Sequence, residues 1–140
     1  MTHFSKTILP VVYKGQDEVS YPILIFVDDN LWMLGSDFSY TDITDVTYTA
    51  PAGMLTDLAS IPLPLWNILP PFGRYLGAAI IHDFLYQTQP VTKEKADHIL
   101  AEAMDCAGVT HHIRQLIYDG VKFGGRSAWN KHTEELKRKE

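Results

Sequence analysis

The hydrophobic pattern of this 140-residue chain changes period once, and that change limits what it can fold into more than any other feature. In the first third, short apolar runs rich in β-branched and aromatic side chains occupy residues 8–13, 23–27, 31–34 and 46–49. They are separated by Gly15-Gln16-Asp17, Asp28-Asp29-Asn30 and Ser36-Asp37. Runs of this length between such breakers read as strands and tight turns, with Asp29-Asn30 a hairpin. From Gly73 onward the apolar residues recur at helical spacing, which predicts helices over residues 74–87, 92–106 and 110–129. Gln89-Pro90 and Ala107-Gly108 mark the breaks between them. The expected fold is α+β: an antiparallel β-meander of four to six strands packed with a C-terminal three-helix unit.

Local chemistry supports these boundaries. Pro90 prevents the second helix from starting early, and the hydroxyl of Thr92 is placed to accept a first-turn N–H as N-cap. Gly108 is suited to end that helix. Ala96, Ile99, Leu100, Ala103 and Met104 share one face, as do Ile113, Leu116, Ile117, Gly120, Val121 and Gly124 of the third helix. One core therefore serves residues 1–130, and the charged segment 131–140 reads as a tail that frays or docks on a partner.

Composition narrows the class. With 46% apolar and 21% charged residues the chain is a folded domain, not a disordered adaptor. A net charge of -5 argues against nucleic acid as partner, because phosphate-backbone binding draws on clustered Lys and Arg. The single cysteine, Cys106, forms no internal disulfide and fits a reducing compartment. No run approaches the roughly 20 apolar residues of a membrane-spanning helix, so synthesis in a cytoplasm is expected.

The segment around His82-Asp83 carries the chemical interest. It runs Leu76-Gly77-Ala78-Ala79-Ile80-Ile81 before that pair and Phe84-Leu85-Tyr86 after it, apolar on every side, yet an imidazole and a carboxylate sit in its middle. A buried carboxylate without partners costs several kcal/mol, so Asp83 requires them. Asp57, Thr56 and Ser60 lie on the preceding loop, and Asp97 lies on the next helix. Asp83 and Asp97 flank the Pro90 connection at similar distances and are expected to face each other. Convergence of Asp57, His82, Asp83 and Asp97 would suit one hard divalent metal ion and a water activated for hydrolysis. The candidate catalytic set is then Asp57, Ser60, His82, Asp83 and Asp97.

A blander assignment fits the same residues. Asp57 can close an Asx turn, Ser60 can cap the turn beginning at Ile61, and His82-Asp83 can pin the helix to that loop. The His-Asp dipeptide also suggests the metal-dependent phosphohydrolases named for it, but their upstream histidine is missing, since no His lies between His3 and His82. His111-His112 reads as a solvated first turn, Cys106 as a small core residue, and Trp32, Trp66 and Trp129 as core or interface anchors. Gly73-x-x-x-Gly77 and Gly120-x-x-x-Gly124 are spaced as in tight helix crossings or mark helix ends.

In order, Thr56-Asp57-Leu58-Ala59-Ser60-Ile61-Pro62, His82-Asp83-Phe84-Leu85-Tyr86, Ala96-Asp97 and a last helix with Gly124 and Trp129 resemble a domain-of-unknown-function family of small tailed-bacteriophage and prophage proteins. The resemblance covers about residues 45–130 and implies phage context, an α+β fold and a shared site at Asp57, Ser60, His82, Asp83 and Asp97. It implies no chemistry. Two functions are therefore expected. One is a phage accessory protein acting as a metal-assisted hydrolase on the host envelope or a host molecule. The other is a non-enzymatic tail-associated or assembly protein, made in the host cytoplasm and carried in the virion beside other tail proteins.

Overall fold

The computed structural model describes residues 2–4, 22–29, 31–57 and 75–140. The strand expected at residues 8–13, the loop carrying Ser60, Trp66 and Gly73 lie outside the described residues. The strands are β1 (His3–Phe4), β2 (Leu24–Asp28), β3 (Leu31–Leu34), β4 (Phe38–Thr41), β5 (Thr47–Ala50) and β6 (Leu55–Thr56). All pairings are antiparallel, as expected, but the described strands form two three-stranded sheets, β1-β4-β5 and β2-β3-β6. In the second sheet Asp28 pairs with Leu31, which leaves a two-residue connection at the predicted hairpin.

The β4–β5 hairpin is closed by a side chain. One Asp42 carboxylate oxygen accepts from the backbone N–H groups of Thr44 and Val46, at 2.9 and 3.0 Å, and from the Thr44 hydroxyl at 2.7 Å. Burial alone would raise the Asp42 pKa, but these bonds outweigh it and hold the group below its usual range. The bonds also support Asp45 in the left-handed region at φ 64°.

Four helices follow among the described residues: α1 (Leu76–Thr88), α2 (Lys93–Cys106), α3 (His111–Gly124) and α4 (Arg126–Arg138). The α+β class is as expected, but the third predicted helix is divided at Gly125, giving four helices where three were expected. The charged segment taken as a tail is helical as far as Arg138. Its polar side chains pair along the helix, His132 with Glu135 and Lys137 with Glu134, which supports a polar helix that composition alone reads as frayed.

α1 is buried nearly all round. The first sheet covers one side: a Cβ on Gly77 would lie 2.9 Å from the Phe38 ring, so the small residues at 77–79 set how closely β4 approaches the helix. α2 and α4 cover the others. The cap predictions hold for α2. Thr92 accepts from Lys95 N–H at 3.2 Å, and Gly108, at φ 80°, follows the C-cap Ala107. The bonds Gly108 N–H to Asp105 O and Val109 N–H to Met104 O complete a Schellman end.

Candidate functional site

Successive helical residues point about 100° apart, so His82 and Asp83 meet different neighbours. His82 turns toward α2, where its Nε2 lies 2.8 Å from Asp97 Oδ1. One turn later on the same face, the Tyr86 hydroxyl donates to that same oxygen at 2.8 Å. The other Asp97 oxygen accepts from Lys93 Nζ at 2.7 Å, an i,i+4 pair within α2. The ammonium also donates to the carbonyls of Val121 and Lys122, at 3.1 and 3.4 Å, and so fastens α2 to the end of α3.

This network is sealed: His82 is 0% and Asp97 3% exposed. Burial pushes the Asp97 carboxyl up, but hydrogen bonds from His82, Lys93 and Tyr86 outweigh it and hold the group below the usual carboxylate range. The Tyr86 phenol is pushed far above its ordinary value, first by burial and then by the Asp97 charge. Asp83 and Asp97 were expected to face each other. It is His82 that meets Asp97, because Asp83 projects from a different side of α1.

Asp83 meets the second sheet. The Gln87 amide donates to its Oδ2 at 2.8 Å and also to the Leu55 carbonyl at 2.8 Å, while the Thr56 side chain bonds the carboxylate. Asp83 is 1% exposed, and burial pushes its pKa up. The Thr56 bond and the charges of His132 and His82 act in the opposite direction, and Asp57 adds to the rise. Asp57 itself is exposed and, with Gly124, Ser127, Ala128, Lys131 and His132, lines a cleft of about 240 Å³ beside α4.

The expected ligand set is thus divided. His82 and Asp97 belong to the sealed network, Asp83 to the strand contact, Asp57 to the cleft, and Ser60 lies outside the described residues. Among the described residues no three His, Cys, Asp or Glu side chains gather as metal ligands. Sequence reasoning missed Lys93, Tyr86, Gln87 and His132. The signals present were the spacings His82–Tyr86, Asp83–Gln87 and Lys93–Asp97, each i,i+4.

The blander readings fare unevenly. His111 and His112 are exposed, with Arg114 Nη2 3.1 Å from His111 Nδ1. Cys106, expected in the core, is exposed, because it sits in the last turn of α2 off the face formed by Ala103 and Met104. Trp129 is half-buried, edge-on to Tyr86 with ring centroids 5.0 Å apart.

Comparison with known proteins covers most of this architecture. A family described as a protein of unknown function, DUF1353, matches residues 32–121, which hold Asp57, His82, Asp83, Lys93 and Asp97 but not α4. The uncharacterized protein y4jT of Sinorhizobium fredii is 37% identical over 101 residues, covering 71% of this chain and 25% of that protein. The chain therefore spans about a quarter of the length of that relative. No solved structure matches.

Proposed function

This chain belongs to the DUF1353 family of proteins of unknown function, and from that premise we propose a phage or prophage accessory protein that works by assembly, as a tail-associated or virion component. One observation carries the non-enzymatic reading: His82, Asp83 and Asp97 are 0%, 1% and 3% exposed and are held by protein partners. Groups that act on a substrate must reach it, and these reach one another. The polar cluster then serves to fix three helices and a strand as a rigid body. Exposed Ile25, Phe26 and Val27 on β2, with Leu55 on β6, offer apolar surface for neighbouring tail or virion proteins. Phage context rests on the ordered motifs described above. The test is the protein content of particles purified after induction of a prophage encoding the chain. Its presence at fixed stoichiometry, and defective particles on deletion, are expected. Normal, infectious particles lacking it would overturn the reading.

A second reading is favoured by the cleft that Asp57 shares with Ser127, Lys131 and His132. There a metal-assisted hydrolase acting on host envelope would operate, with Asp57 the exposed carboxylate to take a divalent cation and Asp83 behind it. Release of soluble fragments from host envelope, lost in Asp57→Asn and in chelator, would establish it. An unchanged melting temperature with and without divalent metal would remove the metal from it.

A further inference from the structure

We infer that α4 is a strap that opens about the Gly124-Gly125 junction while α1–α3 stay folded, uncovering Tyr86 beneath it. The inference goes beyond the assembly reading and does not depend on it. α1, α2 and α3 each bury residues completely, whereas α4 buries none. It is held to the rest of the domain by half-buried side chains, Ala128 and Trp129 against the core, and by a few hydrogen bonds to the end of α1. Trp129 stacks edge-on against Tyr86, Gln89 Nε2 donates to the Trp129 carbonyl at 2.9 Å, and the Thr133 hydroxyl donates to Gln89 Oε1 at 3.0 Å. The ion pair from Arg126 to Glu94 is solvent-exposed at 3.3 Å and adds little.

The hinge position follows from what holds α3. Buried Val121 and the bonds from Lys93 to the carbonyls of Val121 and Lys122 secure the end of α3 independently of α4. The first position free of that anchoring is the glycine pair. Gly125 is also where the strap seats: a Cβ there would lie 2.6 Å from the Tyr86 hydroxyl and 2.5 Å from the Val121 carbonyl. Only a residue without a side chain closes over Tyr86, and the same residue gives the backbone its freedom to swing. The cleft beneath Ser127, Ala128, Lys131 and His132 shows that the packing under the strap is incomplete. Departure of α4 takes the Trp129 ring off the Tyr86 phenol.

Hydrogen exchange on the full chain tests this. Amides of residues 129–133, in the middle of α4, are expected to exchange at least about tenfold faster than those in the middle of α1 and α2, as a sub-global opening requires. Hydroxyl-radical footprinting should oxidise Tyr86 ahead of buried Tyr40. A lock comes from Gln89→Cys with Thr133→Cys in a Cys106→Ser background. Its oxidised form should slow α4 exchange to the α1 rate and protect Tyr86, with reversal on reduction. Equal exchange of α4 and α1 in the unmodified chain would overturn the proposal. So would a formed crosslink that leaves α4 exchange unchanged. If the crosslink does not form, the exchange rates of the unmodified chain decide alone.

Discussion

His82 Nε2 lies 2.8 Å from Asp97 Oδ1 and joins α1 to α2 through a bond sealed from solvent. With Tyr86 on the same oxygen and Lys93 on the other, Asp97 is the acceptor on which three buried donors depend. Donors left without that acceptor pay their full desolvation cost, which makes the carboxylate more consequential for stability than any one partner.

Asp97→Ala removes the counter-charge of the buried Lys93 and the acceptor that His82 and Tyr86 share. A loss of about 3–5 kcal/mol is expected, the range for breaking a buried ion pair by removing one partner. Urea denaturation measures it. A loss under about 1 kcal/mol would show that water replaces the carboxylate and that the network is not sealed.

The two buried carboxylates have opposite pH dependences. The folded pKa of Asp97 is depressed, so its contribution is fully present above the unfolded value near 3.9 and is lost as pH falls through the lower folded value. The folded pKa of Asp83 is raised, so the protein gains stability as pH falls from that folded value toward the unfolded one. Asp83→Asn keeps a carbonyl oxygen for Gln87 and removes the charge that burial penalises. It should melt higher than the unmodified protein in neutral solution, with the difference shrinking in mild acid. A lead that grows on acidification would reverse the assigned sign.

His132 on α4, when protonated, favours the ionised Asp83 carboxylate. His132→Ala should raise the Asp83 pKa further, read as an upward shift of its side-chain carboxyl carbon titration by NMR. No shift would mean that the imidazole does not face Asp83 in solution.

Gly125→Ala places a methyl group within 2.6 Å of the Tyr86 hydroxyl and 2.5 Å of a backbone carbonyl. Overpacking of this kind costs about 1–3 kcal/mol. The strain should fall on α4, so far-ultraviolet circular dichroism of the variant should show weakened helix before global melting, with Tyr86 oxidised faster than in the unmodified protein. Gly77→Ala, which crowds Phe38 at 2.9 Å, should instead destabilise the whole domain in one transition.

Much of the fold was legible because periodicity reports burial. The apolar surroundings of His82-Asp83 announced a helix covered on all sides, and Thr92 and Gly108 announced where the next helix starts and stops. Strand pairing was less legible. Alternation and turn residues identify strands, but nothing in residues 31–34 says that Trp32 will pair with Thr56 instead of joining the sheet of β4 and β5. The site was half legible for a similar reason. Asp97 was recognised beside the apolar face, whereas Lys93 reads as surface in any sequence, since only its partners make its burial tolerable. The break at Gly125 had a local signal in the Gly124-Gly125 pair, but apolar spacing continuing to Trp129 outweighed it, and the contact with Tyr86, 39 positions away in the chain, is not visible in the sequence.

Burial of Lys93 has a chemical corollary. The Lys93 amine, buried between a carboxylate and two backbone carbonyls, offers no approach to an acylating reagent, while Lys131, Lys137 and Lys139 stand open to one. Amine modification at Lys93 would therefore mark only molecules that have been unfolded at some point. The residue is a built-in recorder of folding history, readable by mass spectrometry after brief exposure to an acetylating agent.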